Sequence, residues 1–252
     1  MIEYKNASVS AGGKRILEDI SVRFNTGRIT VVVGPNGCGK TTLLQALFGI
    51  SKLEKGEILL DGNVILSIKP RSRAQIVSYL PQVRESIPTI PVELLVSHGR
   101  FPHLGFSRKM TDADKKIVEK AMEKAGVLQY AGESVDTLSG GVRQRAFIAM
   151  QLAQESEYIV ADEPTTYLDL PSQKQVYSLY CGLKSEGKTI ILVLHDIVKA
   201  LEVADDIIVM DERKIAFAGT PSEALKTGII EKVFGVKIRT FSEAGKEFYV
   251  FD

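Results

Sequence analysis

The sequence has little cysteine and no long apolar run, and both absences exclude classes of protein. Its two cysteines, Cys38 and Cys181, are too few for a disulfide framework and suit a reducing compartment. Its longest apolar runs, such as Ile190–Leu194, are far shorter than the ~20 residues that span a bilayer. The first residues contain no apolar stretch typical of a signal peptide, so we expect a cytoplasmic protein.

The chain also lacks an excess of charge of either sign. Its 32 lysines and arginines and 31 aspartates and glutamates give a formal net charge of +1. This balance gives no reason to expect a nucleic-acid partner. With 252 residues, 44% hydrophobic and 25% charged, the composition is that of a soluble globular protein with one large α/β domain or two small ones.

The most specific pattern is a glycine-rich turn between a predicted strand and a predicted helix. Residues 29–33 are apolar and β-branched, and residues 42–48 have helical spacing. Residues 34–41 between them fit the phosphate-loop pattern G-x-x-x-x-G-K-[ST]. We expect Lys40 to reach the β- and γ-phosphates of a nucleotide and the Thr41 hydroxyl to hold Mg²⁺. The expected nucleotide-binding residues of this turn are Gly34, Pro35, Asn36, Gly37, Cys38, Gly39, Lys40, Thr41 and Thr42.

A pair of acids follows another predicted buried strand. Residues 158–161 are apolar, and Asp162 and Glu163 come directly after them. An acid at the end of a strand can enter the Mg²⁺ shell, and an acid beside it can polarise the attacking water. By itself the pair is equally consistent with two solvated acids at a strand end, but the phosphate loop upstream favours the functional interpretation.

The order of the predicted elements indicates an α/β fold. Apolar strands alternate with helices, which predicts a mostly parallel core sheet with ligands at the carboxyl ends of its strands. Residues 2–33 and a hairpin at 57–66 predict a small antiparallel β layer. Residues 88–135 are predicted to be helical and inserted, with Thr111 capping one helix.

A third motif, Leu138-Ser-Gly-Gly-Val-Arg-Gln-Arg145, resembles the signature sequence of the ATP-binding cassette (ABC) ATPases. Its serine and glycine amides stand at the predicted N-terminus of a helix, where they offer a second anion site. The resemblance extends from about residue 2 to about residue 240. Four further stretches of the chain resemble motifs of this family. Ser78–Gln82 is similar to its glutamine loop, and Asp162 and Glu163 to its acidic strand end. Thr166–Asp169 is similar to its partner-crossing loop, and Leu194–Asp196 to its switch histidine.

The resemblance implies a P-loop NTPase with the ABC cassette fold, in which two copies face head to tail and trap two ATP molecules. The phosphate loop of one copy and the signature residues Ser139, Gly140 and Gly141 of the other would hold each ATP. Glu163 would be the general base, and His195 would sense the γ-phosphate.

The resemblance also implies roles for the remaining motif residues. Thr41, Gln82 and Asp162 would hold Mg²⁺, and Gln82 would link the metal to a membrane partner. Asp169 would contribute to the nucleotide-binding interface.

The same resemblance implies a domain organisation and a location. One ABC domain would cover 2–240, with the core and β layer at about 2–87 and 155–240 and a helical subdomain at about 88–154. Residues 241–252 would form a C-terminal tail. With one cassette and no membrane span, we expect a homodimer on the cytoplasmic face of the membrane. It would dock on separate permease subunits, which receive substrate from an extracytoplasmic binding protein.

The stretch Val92–His103 narrows the resemblance. Its Gly99-Arg-Phe-Pro-His103 element is similar to that of cassettes serving iron-siderophore, haem and cobalamin importers. We therefore expect ATP hydrolysis to drive uptake of such a ligand. Two alternatives remain: an importer of another substrate, and a soluble non-transport ABC ATPase of the iron–sulfur cluster assembly type. His98 and His103 have no carboxylate or cysteine partner in the loop, so they are a weak metal signal.

The sequence also gives predictions for individual residues. Ala11 stands where the family usually has an aromatic that stacks on adenine, which predicts weak discrimination between ATP and GTP unless another side chain such as Arg15 covers the base. The loop amides and Lys40 are expected to favour the thiolate of Cys38. Residues 83–105 are expected to carry the permease-docking surface, with Arg100 in it.

Overall fold

A computed structural model of the chain describes residues 1–82, 87–105, 109–166, 168–243 and 246–251. These residues form two compact units. The first unit comprises residues 1–67 and 191–252, and the second comprises residues 68–190. The chain passes from the second unit to the first within strand β8 (Thr189–Val193).

An antiparallel sheet in the first unit confirms the predicted β layer. The turn at Asp61 and Gly62 has positive φ at both residues and joins two of its strands, as predicted. The second of these strands is shorter than expected, because the chain enters a 3₁₀ turn at Ile65–Ser67 that buries Ile65. The strands are β1 (Ile2–Ala11), β2 (Lys14–Phe24), β4 (Lys52–Leu60) and β5 (Asn63–Val64), in the order β2-β1-β4-β5.

Buried strands in the first unit support the phosphate loop. In β3 (Ile29–Val33) every residue is buried, as the apolar run predicted. Strand β3 runs parallel to β9 (Asp206–Asp211), which forms an antiparallel hairpin with β10 (Lys214–Gly219). Within this unit the strand order is β10-β9-β3-β8. Helix α1 (Lys40–Ala46) follows the loop and is tied to β1 where the Tyr4 hydroxyl donates to the Leu43 carbonyl at 2.5 Å.

Three helices and a hairpin complete the first unit. Asp196 and Thr220 accept hydrogen bonds from backbone N–H groups and so cap helices α7 and α8. The hairpin begins at Ile238 and therefore includes most of the expected C-terminal tail. The elements are α7 (Ile197–Val203), α8 (Pro221–Thr227), α9 (Ile229–Phe234), β11 (Ile238–Glu243) and β12 (Lys246–Phe251).

The second unit contains a parallel strand pair, the helices predicted from the sequence and one further helix, at residues 70–76, that was not predicted. Strand β6 (Val77–Leu80) runs parallel to β7 (Tyr158–Asp162), and all of β7 is buried. The helices are α2 (Pro70–Ile76), α3 (Val92–Ser97), α4 (Asp112–Lys124), α5 (Gly140–Ala153) and α6 (Leu170–Ser185).

Helices α3, α4 and α5 share one hydrophobic core, to which Val96, Val118 and Ala149 belong. Helix α4 begins at Thr111 with a capping box, in which Thr111 and Asp114 each accept the other's backbone N–H. The chain leaves α4 at Gly126, which has the left-handed φ of 65°. The predicted start and end of this helix are thus confirmed.

Candidate functional site

The shape of the phosphate loop depends on its glycines. A Cβ atom on Gly34 would lie 2.4 Å from the Met210 carbonyl oxygen and 2.7 Å from the Cys38 sulfur, so only glycine fits there. Gly37 and Gly39 have φ values of 79° and 103°, which other residues rarely adopt. The loop then passes directly into α1, as the motif predicts.

Lys40 is 6% exposed and is held over this loop. Its ammonium nitrogen donates to the Gly34 carbonyl at 2.7 Å and to the Pro35 carbonyl at 3.0 Å. Phosphate oxygens are stronger acceptors than these neutral carbonyls, because they are charged. Lys40 can therefore transfer its hydrogen bonds to a bound polyphosphate.

The expectation that Cys38 favours the thiolate is wrong. The side chain is 5% exposed and points into the protein, with its sulfur next to Gly34. Burial raises the pKa of the Cys38 thiol, and the nearby Lys40 lowers it by less. Cys38 therefore fills space inside the loop as a thiol.

Strand β2 lies beside the phosphate loop. A Cβ on Gly39 would lie 2.5 Å from Leu17 Cδ2 and 3.4 Å from Ile16 Cγ2. Arg15, the suggested cover for the base, instead donates to Glu54 at 3.1 Å and to Glu18 at 3.3 Å. Ile16, on the same strand, is half-buried.

In the second unit, the structure brings the expected base and the expected glutamine together. Glu163 follows the buried Asp162 at the end of β7. Gln82 Nε2 donates to Glu163 Oε2 at 2.5 Å, and the Thr166 hydroxyl donates to the same oxygen at 3.0 Å. The sequence placed Thr166 only in the partner-crossing loop, although a hydroxyl three residues after Glu163 was the available signal.

A cavity of about 70 Å³ opens beside this carboxylate. The signature helix α5 lines it together with Gln82, Glu163 and Thr166. The cavity residues are Gln82, Gly140, Arg143, Gln144, Phe147, Glu163, Thr166 and Leu168. Acidic, amide and hydroxyl groups therefore converge on a space about large enough for one or two water molecules.

The signature residues form the N-terminus of α5. Ser139 caps the helix, since its hydroxyl oxygen accepts the Val142 N–H at 3.4 Å. Ser139 and Gly140 are exposed, whereas a Cβ on Gly141 would lie 2.9 Å from the Ser172 hydroxyl of α6. The helix end is thus open to solvent, and Gly141 permits close packing of α5 on α6.

Two further expected site residues lie at the ends of elements. Asp169 caps α6 by accepting the Ser172 N–H at 3.0 Å, and hydrogen bonds from Ser172 lower its pKa. His195 is exposed and follows the buried Leu194 at the end of β8. Tyr167, in the partner-crossing loop, lies outside the described residues.

The Gly99–His103 element packs on the carboxyl end of α5. A Cβ on Gly99 would lie 2.2 Å from the Met150 carbonyl oxygen, so this contact requires glycine. His103 Nε2 lies 2.8 Å from the Gln154 carbonyl oxygen, an internal contact. Pro102 offers its carbonyl to Arg71 at 2.9 Å and to Gln75 at 2.7 Å.

The expectation that Arg100 belongs to a docking surface is wrong. Arg100 is 5% exposed and bonds to Asp114 at 3.0 Å, to the Ala153 carbonyl at 2.8 Å and to Glu155 at 2.9 Å. It joins α4 to the end of α5. The exposed large apolar residues among the described part of this region are instead Ile87, Leu94 and Phe101, at 39%, 47% and 57%. Residues 83–86 of the expected surface lie outside the described residues.

The residues expected to hold a cation have suitable chemistry. Thr41, Gln82 and Asp162 offer a hydroxyl, an amide and a carboxylate oxygen. Each of these groups is an oxygen ligand of the kind that Mg²⁺ prefers. Over the described residues, none of the helices is both long enough and apolar enough to cross a membrane.

Comparison with known proteins places these motifs in one family. A family model described as ABC transporter matches residues 17–166. The chain is 37% identical over 229 residues to the iron(3+)-hydroxamate import ATP-binding protein of Bacillus subtilis, covering 90% of this chain and 85% of the relative. It is 38% identical over 227 residues to the ferric enterobactin transport ATP-binding protein of Escherichia coli, covering 90% and 84%.

Solved structures show the same fold. A putative metal-chelate type ABC transporter in an inward-facing conformation matches with a TM-score of 0.85 at 25% identity, over 100% of this chain and 96% of the matched chain. A dimeric bacterial ABC transporter cassette matches with a TM-score of 0.78 at 25% identity, over 88% and 99%.

Proposed function

The chain belongs to the ABC transporter family of ATP-binding proteins, and on that basis we propose that it is the ATP-hydrolysing subunit of an importer of iron chelates. The observation that carries the proposal is its similarity, over about nine-tenths of the chain, to ATP-binding proteins for iron(3+)-hydroxamate import and ferric enterobactin transport. The Gly99–His103 element supports the same subfamily. The chain hydrolyses ATP to ADP and phosphate in this proposal, and a separate permease carries the substrate.

We assign binding of the ATP phosphates to the phosphate loop. Lys40 exchanges its bonds to the Gly34 and Pro35 carbonyls for bonds to the β- and γ-phosphate oxygens. Loop amides add donors, and Thr41 contributes its hydroxyl to a cation. These groups bind and orient the triphosphate, which is most of what catalysis of phosphoryl transfer requires.

We assign water activation to Glu163. Its carboxylate faces a cavity of water size and accepts the proton as the water oxygen attacks the γ-phosphorus, while the bond to the ADP oxygen breaks. Asp162 and Gln82 would complete the oxygen ligands of Mg²⁺, which, when bound, neutralises negative charge on the phosphate oxygens. His195 is assigned to the γ-phosphate as its sensor.

We further propose that two copies of the chain form the active unit. Ser139 and Gly140 are exposed at the N-terminus of α5, so their polar groups are available to the ATP of a second copy. The similarity to a dimeric cassette supports this arrangement. The dimer would lie on the cytoplasmic face of the membrane, beneath a permease fed by an extracytoplasmic binding protein.

The permease contact is assigned to the exposed apolar residues Leu94 and Phe101. Both lie in the region where the family docks its permease, and both are about half exposed. Isolated exposed apolar residues are normal, so the assignment rests on the position of both residues within this short segment as well as on their exposure.

Replacement of Glu163 by glutamine tests the catalytic assignment. Glu163→Gln keeps shape and removes the base, so ATP turnover should fall by roughly 10²–10⁴-fold. ATP binding should persist, and the variant should form a stable dimer with ATP that light scattering detects. Glu157→Gln, the same change at the exposed opposite end of β7, serves as the control and should retain activity. Wild-type turnover by Glu163→Gln would show that the base is another residue.

Uptake assays test the substrate class. Cells of the source organism that lack the gene should lose uptake of a labelled ferric siderophore, and the wild-type gene should restore it whereas Glu163→Gln should not. Loss of haem or cobalamin uptake alone would assign a different ligand. Normal uptake of all three would contradict the proposal and favour either an importer of another substrate or a non-transport role.

A further inference from the structure

The turn that follows β7 is held in an unusual conformation. Glu163 has φ 52°, in the left-handed region that non-glycine residues seldom adopt. The Thr166 N–H donates to the Glu163 carbonyl at 3.3 Å, and the Leu168 N–H donates to the Thr165 carbonyl at 3.2 Å. Consecutive turns therefore bring residue 166 back beside Glu163. Such strain persists only where the surroundings enforce it.

A buried contact anchors the turn on α6. The Thr165 hydroxyl lies 2.9 Å from the Tyr177 hydroxyl, and both residues are less than one-tenth exposed. Helix α6 itself is fixed at its start by the Asp169 cap. The position of Thr166 is therefore set by a rigid helix, as a precise site requires.

Thr166 bonds to the side chain of Glu163 as well as to its backbone carbonyl. Its hydroxyl donates to Oε2 at 3.0 Å, the oxygen that also accepts from Gln82 at 2.5 Å. A glutamate side chain has several rotatable bonds, and donors converging on one oxygen restrict both its position and the plane of the carboxylate. All three side chains line the same small cavity.

We propose that Thr166 is a positioning residue that orients the carboxylate of Glu163 toward the attacking water. The proposal rests on the proposed function, in which Glu163 is the base. Gln82 reaches Glu163 from a segment 81 residues away, whereas Thr166 belongs to the same turn as Glu163. The threonine hydroxyl is therefore the donor whose position is fixed by the turn that carries the base.

Three variants of Thr166 distinguish a misaligned Glu163 carboxylate from a protein that fails to fold. Thr166→Val removes the hydroxyl and keeps the shape, so kcat should fall by roughly tenfold to a hundredfold, because a small misplacement of a catalytic group is costly. KM for ATP should stay within about twofold, since the phosphate contacts are unchanged. Thr166→Ser should restore kcat to within about threefold, because it restores the donor. Thr166→Ala provides the same test if the valine variant does not fold.

A matched control is available in Thr227→Val. The Thr227 hydroxyl also bonds to a residue three positions away, the Ala224 carbonyl at 3.0 Å, but at the end of α8. This control should keep wild-type kcat. Melting temperatures of all variants should agree with the wild type, so that a loss of kcat reports alignment.

The outcomes distinguish this proposal from the proposed function. If Glu163→Gln is inactive while Thr166→Val and Thr166→Ala turn over like the wild type, Thr166 has no positioning role and the base assignment stands. Failure of Thr166→Ser to restore kcat would also overturn the proposal. If Glu163→Gln itself is fully active, the base assignment fails first and the role of Thr166 fails with it.

Discussion

Arg100 lies in the element by which this subfamily is recognised, yet the structure predicts that its replacement destabilises the fold. Its guanidinium is buried and bonds to Asp114 on α4, to the last carbonyl of α5 at Ala153 and to Glu155. Arg100→Met keeps most of the side-chain length and removes every donor. Asp114 then stays in place without its cation.

The magnitude follows from what remains around Asp114. Removing one partner of a buried ion pair typically costs about 3–5 kcal/mol. Asp114 still accepts hydrogen bonds from the Thr111 backbone N–H at 2.9 Å and from the Thr111 hydroxyl at 2.7 Å. Glu155 is exposed, so water replaces the arginine there. We therefore expect the lower end, about 3 kcal/mol, which for a protein of this size lowers Tm by roughly 6–12 °C.

The effect of Arg100→Met should depend on pH. Hydrogen bonds from Thr111, and to a lesser extent Arg100, hold the pKa of Asp114 below its usual value. A lowered pKa in the folded state contributes stability above the unfolded pKa, and this contribution is lost as pH falls through the folded value. The difference in Tm between wild type and variant should therefore narrow in acid, below the ordinary aspartate range.

Thermal unfolding followed by far-ultraviolet circular dichroism measures this effect. Lys115→Met, which removes an exposed ion pair with Asp112 on the same helix, is the matched control. It should change stability by less than about 0.5 kcal/mol, because exposed pairs contribute little. If Arg100→Met has the same Tm as the wild type and still abolishes uptake, Arg100 contributes to a partner contact and not to stability. That result would refute the prediction.

Two other predictions concern residues whose exposure the structure determined. Because burial raises the pKa of Cys38, N-ethylmaleimide should alkylate the half-buried Cys181 first, which mass spectrometry of the folded protein will show; preferential labelling of Cys38 would contradict this. Phe101→Asp should abolish uptake while ATPase activity of the purified subunit persists, whereas Val64→Asp, at an exposed site in β5, should leave uptake intact; normal uptake with Phe101→Asp would place the docking surface elsewhere.

Much of the fold could be predicted because its signals are local. The phosphate loop needs glycines, a lysine and a hydroxyl at set spacing, and its flanking strand is a continuous apolar run. The start of α4 depends on Thr111 and Asp114, which are three residues apart. Turn residues and caps act over a few positions, so a sequence can specify them without reference to the rest of the chain.

Only the tertiary structure decided how polar residues in the irregular stretches are used. Arg100 is buried because it meets the Ala153 carbonyl, 53 residues away, and a partner at that distance leaves no periodic signal. Cys38 is shielded beside Gly34, although its neighbours in the sequence suggested an activated thiol. Thr166 reaches Glu163 because a strained turn is anchored on Tyr177. The sequence by itself determined the phosphate loop, because the spacing of its motif is local. Packing between distant segments determined which of the other polar groups stabilise the fold and which are exposed.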